Sequence, residues 1–203
     1  MSEQREEIWH EWHGMNPRVA AAKSGVAFDQ GEFRLPYHNR SFAVSYPQGG
    51  VREVGGRVRV SSHVEIFMRH YIAQASGVPI EGRWIAFREL PDSFPLHSGY
   101  IEVIINPLVR AFGTRREAFV KAAQSLGGTP LSRFGDAAFY FFALPKLLIA
   151  CILYLADDEL PAEVNILFDA SAPRYLPTED LFCVAEDLSI LLRQRDREAK
   201  ETT

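Results

Sequence analysis

Cysteine is scarce in this sequence, and the cysteines that are present lie far apart. The 203 residues contain Cys151 and Cys183 and no CxxC pair. A zinc ribbon and a self-contained iron–sulfur site both need closely spaced cysteines, so neither is available. Both thiols lie in apolar runs, which predicts that they are buried and reduced in a cytoplasmic protein.

The short motifs of several common enzyme classes are also missing. The chain contains no GxSxG nucleophile elbow, no GxGxxG turn and no GxxxxGK[ST] loop. The last two motifs shape a backbone around phosphate groups, so a phosphate-loop nucleotide site has no support. Neither cysteine has the flanking residues of a known catalytic cysteine, so nucleophilic catalysis has no recognisable constellation.

The sequence has neither a large net charge nor a long apolar segment. Its formal net charge is −4, which gives no general electrostatic reason to bind nucleic acid or an anionic membrane. No run approaches the ~20 apolar residues of a membrane-spanning helix. The first residues are polar and acidic, so we expect no signal peptide. From the net charge and the lack of a long apolar run we expect no nucleic-acid or membrane partner, and the two free thiols agree with a cytoplasmic location.

The last third of the chain contains the clearest pattern. The runs Ala137–Leu144 and 147–155 are continuously apolar and are separated at Pro145, which predicts two strands that are covered on both faces. Residues 163–169 alternate between apolar and polar, as in a strand with one face in water. The polar segment 156–161 joins the second strand to the third. We therefore predict an antiparallel meander whose middle strand is the most buried.

The distribution of strands and helices indicates the fold class. Strands come in two blocks around a helical middle, which favours an α+β protein with a mostly antiparallel sheet built from two meanders. No linker divides the chain, so a single domain is expected. We predict these parts of one domain, 1–203: N-terminal helices at 1–27, a first meander at 28–60, a helical middle at 61–128, and a second meander with a C-terminal helix at 134–198.

Three local predictions concern the ends of these elements. A pair of glycines followed by alternating residues predicts a strand at 57–60. Thr178 precedes two acidic residues and is predicted to cap the C-terminal helix. The segment 193–203 is almost wholly polar, so we expect it to fray.

The last third also resembles a known family. The run ADDELPAEVNILFDASAPRYLPTEDL, with FGDAAF before it, is similar to the Domain of Unknown Function 3786 family of bacteria and archaea. The resemblance implies one compact domain and no particular activity. Some relatives carry a cysteine-rich iron–sulfur segment, which this chain lacks, so that association is not carried over. The positions that match are Asp136, Pro145, Asp158, Glu159, Pro161, Asp169, Ser171, Tyr175, Glu179 and Asp180.

An acidic cluster on the predicted hairpin loop is the first candidate site. Asp157, Asp158 and Glu159 are consecutive. Adjacent carboxylates can hold a hard cation or share a proton. The alternative is a solvated turn that keeps the hairpin in water.

The second candidate lies where the alternating strand ends. The carboxylate of Asp169 can accept the backbone N–H of Ser171 or Ala172 and start a turn. Alternatively it is a polar group held above a pocket, near other polar side chains of the last third. The candidate binding residues are Asp136, Asp158, Glu159, Asp169, Ser171, Arg174 and Tyr175.

Three hypotheses for function remain open at this point. The 14 Phe, 3 Trp and 7 Tyr, without a catalytic constellation, favour a non-catalytic binding domain for a small ligand or a partner protein. The first alternative is an enzyme that uses the four candidate acids, with or without a divalent metal. The second, which only the family resemblance suggests, is an accessory subunit in anaerobic redox chemistry or cofactor maturation. His10 and His13 are flanked by tryptophans, which indicates packing, and no metal site is predicted.

Overall fold

The computed structural model describes residues 2–56 and 60–201. Helices and strands alternate in blocks along this part of the chain. The α-helices are α1 (Ser2–Gly14), α2 (Pro17–Ser24), α3 (Ser62–Gln74), α4 (His97–Tyr100), α5 (Asn106–Phe112), α6 (Arg116–Ser125) and α7 (Thr178–Glu201). The strands are β1 (Ala27–Asp29), β2 (Glu32–Tyr37), β3 (Arg40–Ser45), β4 (Val51–Glu53), β5 (Trp84–Ala86), β6 (Thr129–Pro130), β7 (Ala137–Leu144), β8 (Leu147–Tyr154) and β9 (Glu163–Asp169).

The first sheet is a four-stranded antiparallel meander. Its strand order is β1-β2-β3-β4, so the predicted first meander is confirmed. The β2–β3 connection is a two-residue turn in which His38 and Asn39 both have positive φ, 44° and 62°. This backbone matches the twist of the flanking strands. The predicted strand at 57–60 falls mainly on residues 57–59, which lie outside the described residues.

The second sheet contains five antiparallel strands in the order β5-β9-β8-β7-β6. Every residue of β8 except Tyr154 is buried, which confirms that the middle strand of the predicted meander is the most covered. The two meanders form separate sheets, and helices and antiparallel strands occur in blocks. The α+β class expected from the sequence is therefore confirmed.

Hydrogen bonds at the tip of the β2–β3 hairpin join the first sheet to β7 of the second sheet and to the end of α6. The backbone N–H of His38 donates to the carbonyl of Ala143 at 3.2 Å, and the side-chain amide of Asn39 donates to the carbonyl of Leu126 at 2.6 Å. A continuous cluster of buried side chains extends from Trp12 through α3 to β7, β8 and α7. The first sheet is thus held against the second through packed helices and this turn.

Two predictions about α7 are wrong because tertiary contacts outweigh local signals. Thr178 is the first residue of α7 rather than the capping residue before it, and its hydroxyl donates to the carbonyl of Pro91 in a neighbouring segment. The tail does not fray at 193, because α7 continues to Glu201. Asp196 anchors this end: it is buried and accepts two hydrogen bonds from Arg115, at 2.8 and 2.9 Å. Residues 202–203 lie outside the described residues.

Candidate functional site

Asp169 forms a buried hydrogen-bonded centre at the end of β9. The residue has no exposed surface. Its Oδ1 accepts the backbone N–H and the hydroxyl of Ser171, at 3.0 and 2.5 Å, and the N–H of Glu81 at 3.0 Å. Its Oδ2 accepts the N–H of Gly82 at 2.7 Å. The predicted bond to Ser171 is confirmed, and the bonds to Glu81 and Gly82 join β9 to the segment before β5.

The pKa of Asp169 reflects these contacts. Burial raises its pKa, but the hydrogen bonds from the Ser171 hydroxyl and from the N–H groups of Glu81, Ser171 and Gly82 outweigh burial. The carboxyl pKa is therefore held below its usual value. The group is an ionised acceptor whose lone pairs are already engaged by the protein.

Two other candidates near Asp169, Arg174 and Tyr175, also form hydrogen bonds with the segment before β5. The carbonyl of Arg174 accepts the N–H of Ser76 at 3.2 Å, and the hydroxyl of buried Tyr175 donates to the carbonyl of Val78. Arg174 itself is exposed. Asp169, Ser171, Arg174 and Tyr175 are thus brought together, and their observed contacts hold residues 76–82 in place.

The remaining candidates lie at the opposite end of the second sheet. Asp136 is exposed, and its Oδ2 accepts the N–H of Leu155 at 2.8 Å. It lines a shallow groove of about 430 Å³ beside α6. Asp158 and Glu159 are exposed on the β8–β9 loop. The neighbouring Asp157 forms the turn, because its Oδ1 accepts the N–H groups of Glu159 and Leu160 at 2.9 and 2.7 Å.

The candidate acids therefore do not converge on one pocket. Asp169 lies at the end of β9, whereas Asp136, Asp158 and Glu159 lie near its beginning. Seven residues of extended strand span about 20 Å, which is too far for one reacting group to contact both sets. Among residues 2–56 and 60–201, no three His, Cys, Asp or Glu side chains are placed to hold one metal ion. His13 stacks on Trp9, with ring centroids 5.4 Å apart.

An open groove between α6 and the end of α7 is the candidate binding site. Its volume is about 920 Å³. Three alanines from the two helices contribute to its lining, and four cationic side chains surround them. The lining residues are Arg115, Ala118, Lys121, Ala122, Ser125, Arg195, Asp196, Glu198, Ala199 and Lys200.

The acidic side chains of this groove are already paired. Asp196 is 9% exposed at its side chain, and it binds Lys200 at 2.7 Å in addition to Arg115. These hydrogen bonds, first of all those from Arg115, hold the pKa of Asp196 below its usual value. Glu198 pairs with Arg195 at 2.7 Å. Lys121 is exposed and forms no ion pair in the described part of the chain, so its charge faces solvent at the groove.

Sequence reasoning missed this groove because it needs two helices that are far apart in the chain. Ala122 lies on the buried face of α6 and is 2% exposed. Ala118 is only partly buried. The sequence did contain one signal, which is the number of cationic residues after residue 192. Because this segment was expected to fray, its cations were not connected with a site.

A ladder of histidine–aspartate pairs, which the sequence also did not indicate, joins α3 to α7. His63 lies 3.4 Å from Asp187, and His70 forms a hydrogen bond with Asp180. The histidines are seven residues apart, as are the aspartates, so each pair of like residues shares one face of its helix. His63 comes before His70 in α3, whereas its partner Asp187 comes after Asp180 in α7. The two helices therefore run antiparallel here.

The acidic side chains of this ladder raise the pKa values of the titratable groups around them. The hydrogen bond to Asp187 raises the pKa of His63. Burial, and then the charge of Asp187, raise the pKa of Tyr37, whose hydroxyl donates to Asp187 at 2.6 Å. Burial, and then Asp180, Asp187 and Glu186, raise the pKa of Cys183 to about 12. The thiol is therefore protonated at neutral pH, which does not suit it to nucleophilic chemistry.

The two cysteines differ in exposure. Cys151 is fully buried in β8, and burial raises its pKa to about 12. Cys183 is only partly buried, so the prediction that both are buried is wrong for this residue. Both are free thiols.

The burial of His38 is expected to make the protein less stable at acid pH. Burial lowers its pKa to about 4, against about 6.5 in an unfolded chain. The unfolded state therefore binds more protons between these values, and stability is lost as pH falls from about 6.5 to about 4. The shift corresponds to about 3 kcal/mol. We expect His38→Asn, which tolerates the positive φ, to lose that part of the pH dependence in urea unfolding at pH 4 and pH 7.

His63 is the control, because its pKa is shifted in the opposite direction. Since its folded-state pKa is raised, its contribution is complete below about 6.5 and is lost as pH rises through the folded value. His63→Gln is expected to leave the acid-induced loss of stability intact. An unchanged loss between pH 7 and pH 4 in His38→Asn would show that His38 does not titrate as a buried neutral side chain.

With the fold and the groove described, the chain can be compared with known proteins. It is an α+β protein with two antiparallel sheets. It belongs to the family described as Domain of unknown function (DUF3786), whose model matches residues 16–190. Neither the curated proteins nor the solved structures include a significant match. In the described residues, no helix is both long and apolar enough to cross a membrane.

Proposed function

We propose that this protein is a non-catalytic binding domain whose α6–α7 groove receives an acidic segment of a partner protein. The observation that carries the proposal is the cationic rim of this groove over a lining of small residues. Such a role is also what the accessory-subunit hypothesis requires, since a subunit of that kind acts by docking.

The charge of the groove favours an acidic occupant. Its lining includes four cationic and two acidic side chains, although the whole chain has a net charge of −4. Asp196 is buried beneath Arg115 and Lys200, so the charge that faces an approaching partner is mainly positive. Complementary charge across an interface accelerates association and selects the partner.

The shape of the groove favours a helical segment. Ala118, Ala122 and Ala199 have short side chains, so the backbone of a third helix can approach α6 and α7 closely. An amphipathic helix that lies in a groove between two helices is a recurrent mode of peptide recognition. A compact small ligand is the competing occupant, because 920 Å³ is also within the range of small-molecule sites.

A pair of synthetic peptides tests the proposal. One is an amphipathic helix with alanine and leucine on one face and glutamate on the other, and the second replaces each glutamate with lysine. We expect the acidic peptide to bind in fluorescence anisotropy and the basic peptide not to bind. Lys121→Glu should weaken acidic-peptide binding about tenfold, because it reverses an unpaired charge at the rim.

Lys23→Glu is the matched control, since Lys23 is an exposed lysine on a different helix, α2. It makes the same change in net charge and should leave peptide affinity within about twofold of the unsubstituted protein. Equal weakening by both substitutions would mean that net charge, not the groove, controls binding. Equal binding of the two peptides would overturn the proposed acidic partner.

A further inference from the structure

The two faces of the second sheet are covered differently. Strand pairing places Ile149 of β8 opposite Phe141 of β7 and Phe168 of β9, and directly paired residues lie on the same side of a sheet. Helix α6 packs on this side, where the ring centroids of Phe119 and Phe139 lie 5.9 Å apart. Helix α5 contacts both β9 and α6. We call the side that carries these helices the inner face and the opposite side the outer face.

The middle strand of this sheet has the composition of a strand that is covered on both faces. Along β8, Leu148, Ala150 and Ile152 alternate with the residues of the inner face, so they lie on the outer face. An antiparallel strand with one face in water carries polar side chains on that face, whereas these three positions are apolar. Within residues 2–56 and 60–201, the core cluster is built on the inner face and does not include them. The outer face therefore has the chemistry of a second buried surface.

A row of aromatic side chains forms the exposed part of the outer face. The ring of Tyr140 lies 6.4 Å from that of Trp84 and 6.2 Å from that of Phe142, between centroids. Tyr140 and Leu167 are the cross-strand neighbours of Ala150. Phe142 is 55% exposed, and the other large side chains of the row are partly exposed. We call Trp84, Tyr140, Phe142 and Leu167 the aromatic patch, and contiguous exposed apolar patches mark interaction surfaces.

Charge and area indicate what covers the aromatic patch. The carboxylates of the outer face lie at the two ends of β9, at Glu163 and Asp169, and Asp169 is already engaged by the backbone. The patch between them is uncharged, so a second copy of the chain meets it without charge repulsion. A sheet of five strands, two of them eight residues long, has a footprint of about 500 Å². Two such footprints add up to about 1,000 Å², the lower limit of a specific interface.

We propose that the outer face of the second sheet is a homodimer interface in which the aromatic patches of two copies pack together. Two sheets pack face to face in this way in β-sandwiches. Strands β5 and β7 lie on opposite sides of β9 and β8, so a two-fold axis along the strands places β5 of each copy over β7 of the other. Trp84 then meets Tyr140 and Phe142 twice across the interface, as an isologous contact requires. Aromatic side chains of this kind are enriched in interface cores.

This dimer leaves the α6–α7 groove open in both copies, because α6 packs on the inner face of the sheet. The inference therefore does not depend on the function proposed for that groove.

Sedimentation velocity with the full chain over a wide range of concentration tests this interface. We expect twice the mass of the chain at high concentration and the mass of one chain on dilution. Phe142→Glu should stay monomeric at every concentration, because it places a carboxylate from each copy inside an apolar interface. Phe142→Ala introduces no charge and should raise the dimer dissociation constant about tenfold. The alanine variant decides the test if the glutamate variant does not fold.

Phe94→Glu is the matched control, since it makes the same change in net charge at a residue that is 91% exposed and lies outside the second sheet. It should dimerise like the unsubstituted protein. Hydroxyl-radical footprinting locates the contact, because oxidation of Trp84 and Phe142 should fall as the concentration rises while that of Phe94 stays constant. A chain that is monomeric at every concentration would overturn the proposal and leave the outer face to a different partner. A dimer that survives both Phe142 substitutions, or one that Phe94→Glu dissociates equally, would also overturn it.

Discussion

Replacing Asp169 with alanine is expected to destabilise the protein by about 3–5 kcal/mol in urea unfolding. The substitution leaves the backbone N–H groups of Glu81, Gly82 and Ser171 without their acceptor. The Ser171 donor is buried and the other two are partly buried, and a donor left without a partner away from water costs about 1–3 kcal/mol. The loss also releases the segment before β5 from the end of β9, so the effect extends beyond one turn.

Two further variants separate this explanation from a general effect of removing a carboxylate. Asp169→Asn retains one acceptor oxygen but directs an NH₂ group toward a backbone N–H, so an intermediate loss is expected. Asp157→Ala removes an exposed carboxylate that also accepts two backbone N–H bonds, and it should destabilise the protein much less than Asp169→Ala because water replaces the carboxylate. A rise in melting temperature for both Asp169 variants would instead indicate a functional residue.

Phe67→Ala is expected to cost about 3–5 kcal/mol, as for other buried aromatic side chains. The residue has no exposed surface, and its ring packs 4.9 Å from that of Tyr37, between centroids. Phe67 thereby joins α3 to the first sheet beneath the histidine–aspartate ladder. Its removal leaves a cavity that the surrounding helices and strands fill only in part.

Chemical denaturation followed by circular dichroism measures this loss. Phe94→Ala is the control, because Phe94 is 91% exposed and its truncation should change stability by no more than about 0.5 kcal/mol. A cost below about 1 kcal/mol for Phe67→Ala would mean that this face of α3 is not part of the core.

Much of the fold was predictable because it depends on local patterns. The alternation of apolar side chains in 163–169 and the continuous apolar residues of β8 identified strands with one or two covered faces. Asn16 caps α2 by accepting the N–H groups of Arg18 and Val19. These features depend on residues close together in the chain, so a single sequence contains the information.

The candidate sites were less predictable because they combine distant residues. The candidate acids lie next to turns in the sequence. The sequence therefore indicated both readings for these residues, a site and a turn. The α6–α7 groove depends on side chains such as Arg115 and Asp196, which are 81 residues apart and which no local pattern connects. Periodicity shows that a helix has a buried face but does not show which helix covers it.

The sequence by itself determined the two antiparallel meanders, including the alternating strand at 163–169, and it identified Asp169 as either a turn residue or a site residue. Hydrogen bonding and hydrophobic periodicity act over a few residues, which is why these features follow from short segments. Only the tertiary structure decided which of these roles Asp169 has, the addition of β5 and β6 to the edges of the second sheet, and the extension of α7 to Glu201. Those features depend on which faces come together when the apolar surfaces are buried, and that choice is made by the packing of the whole chain.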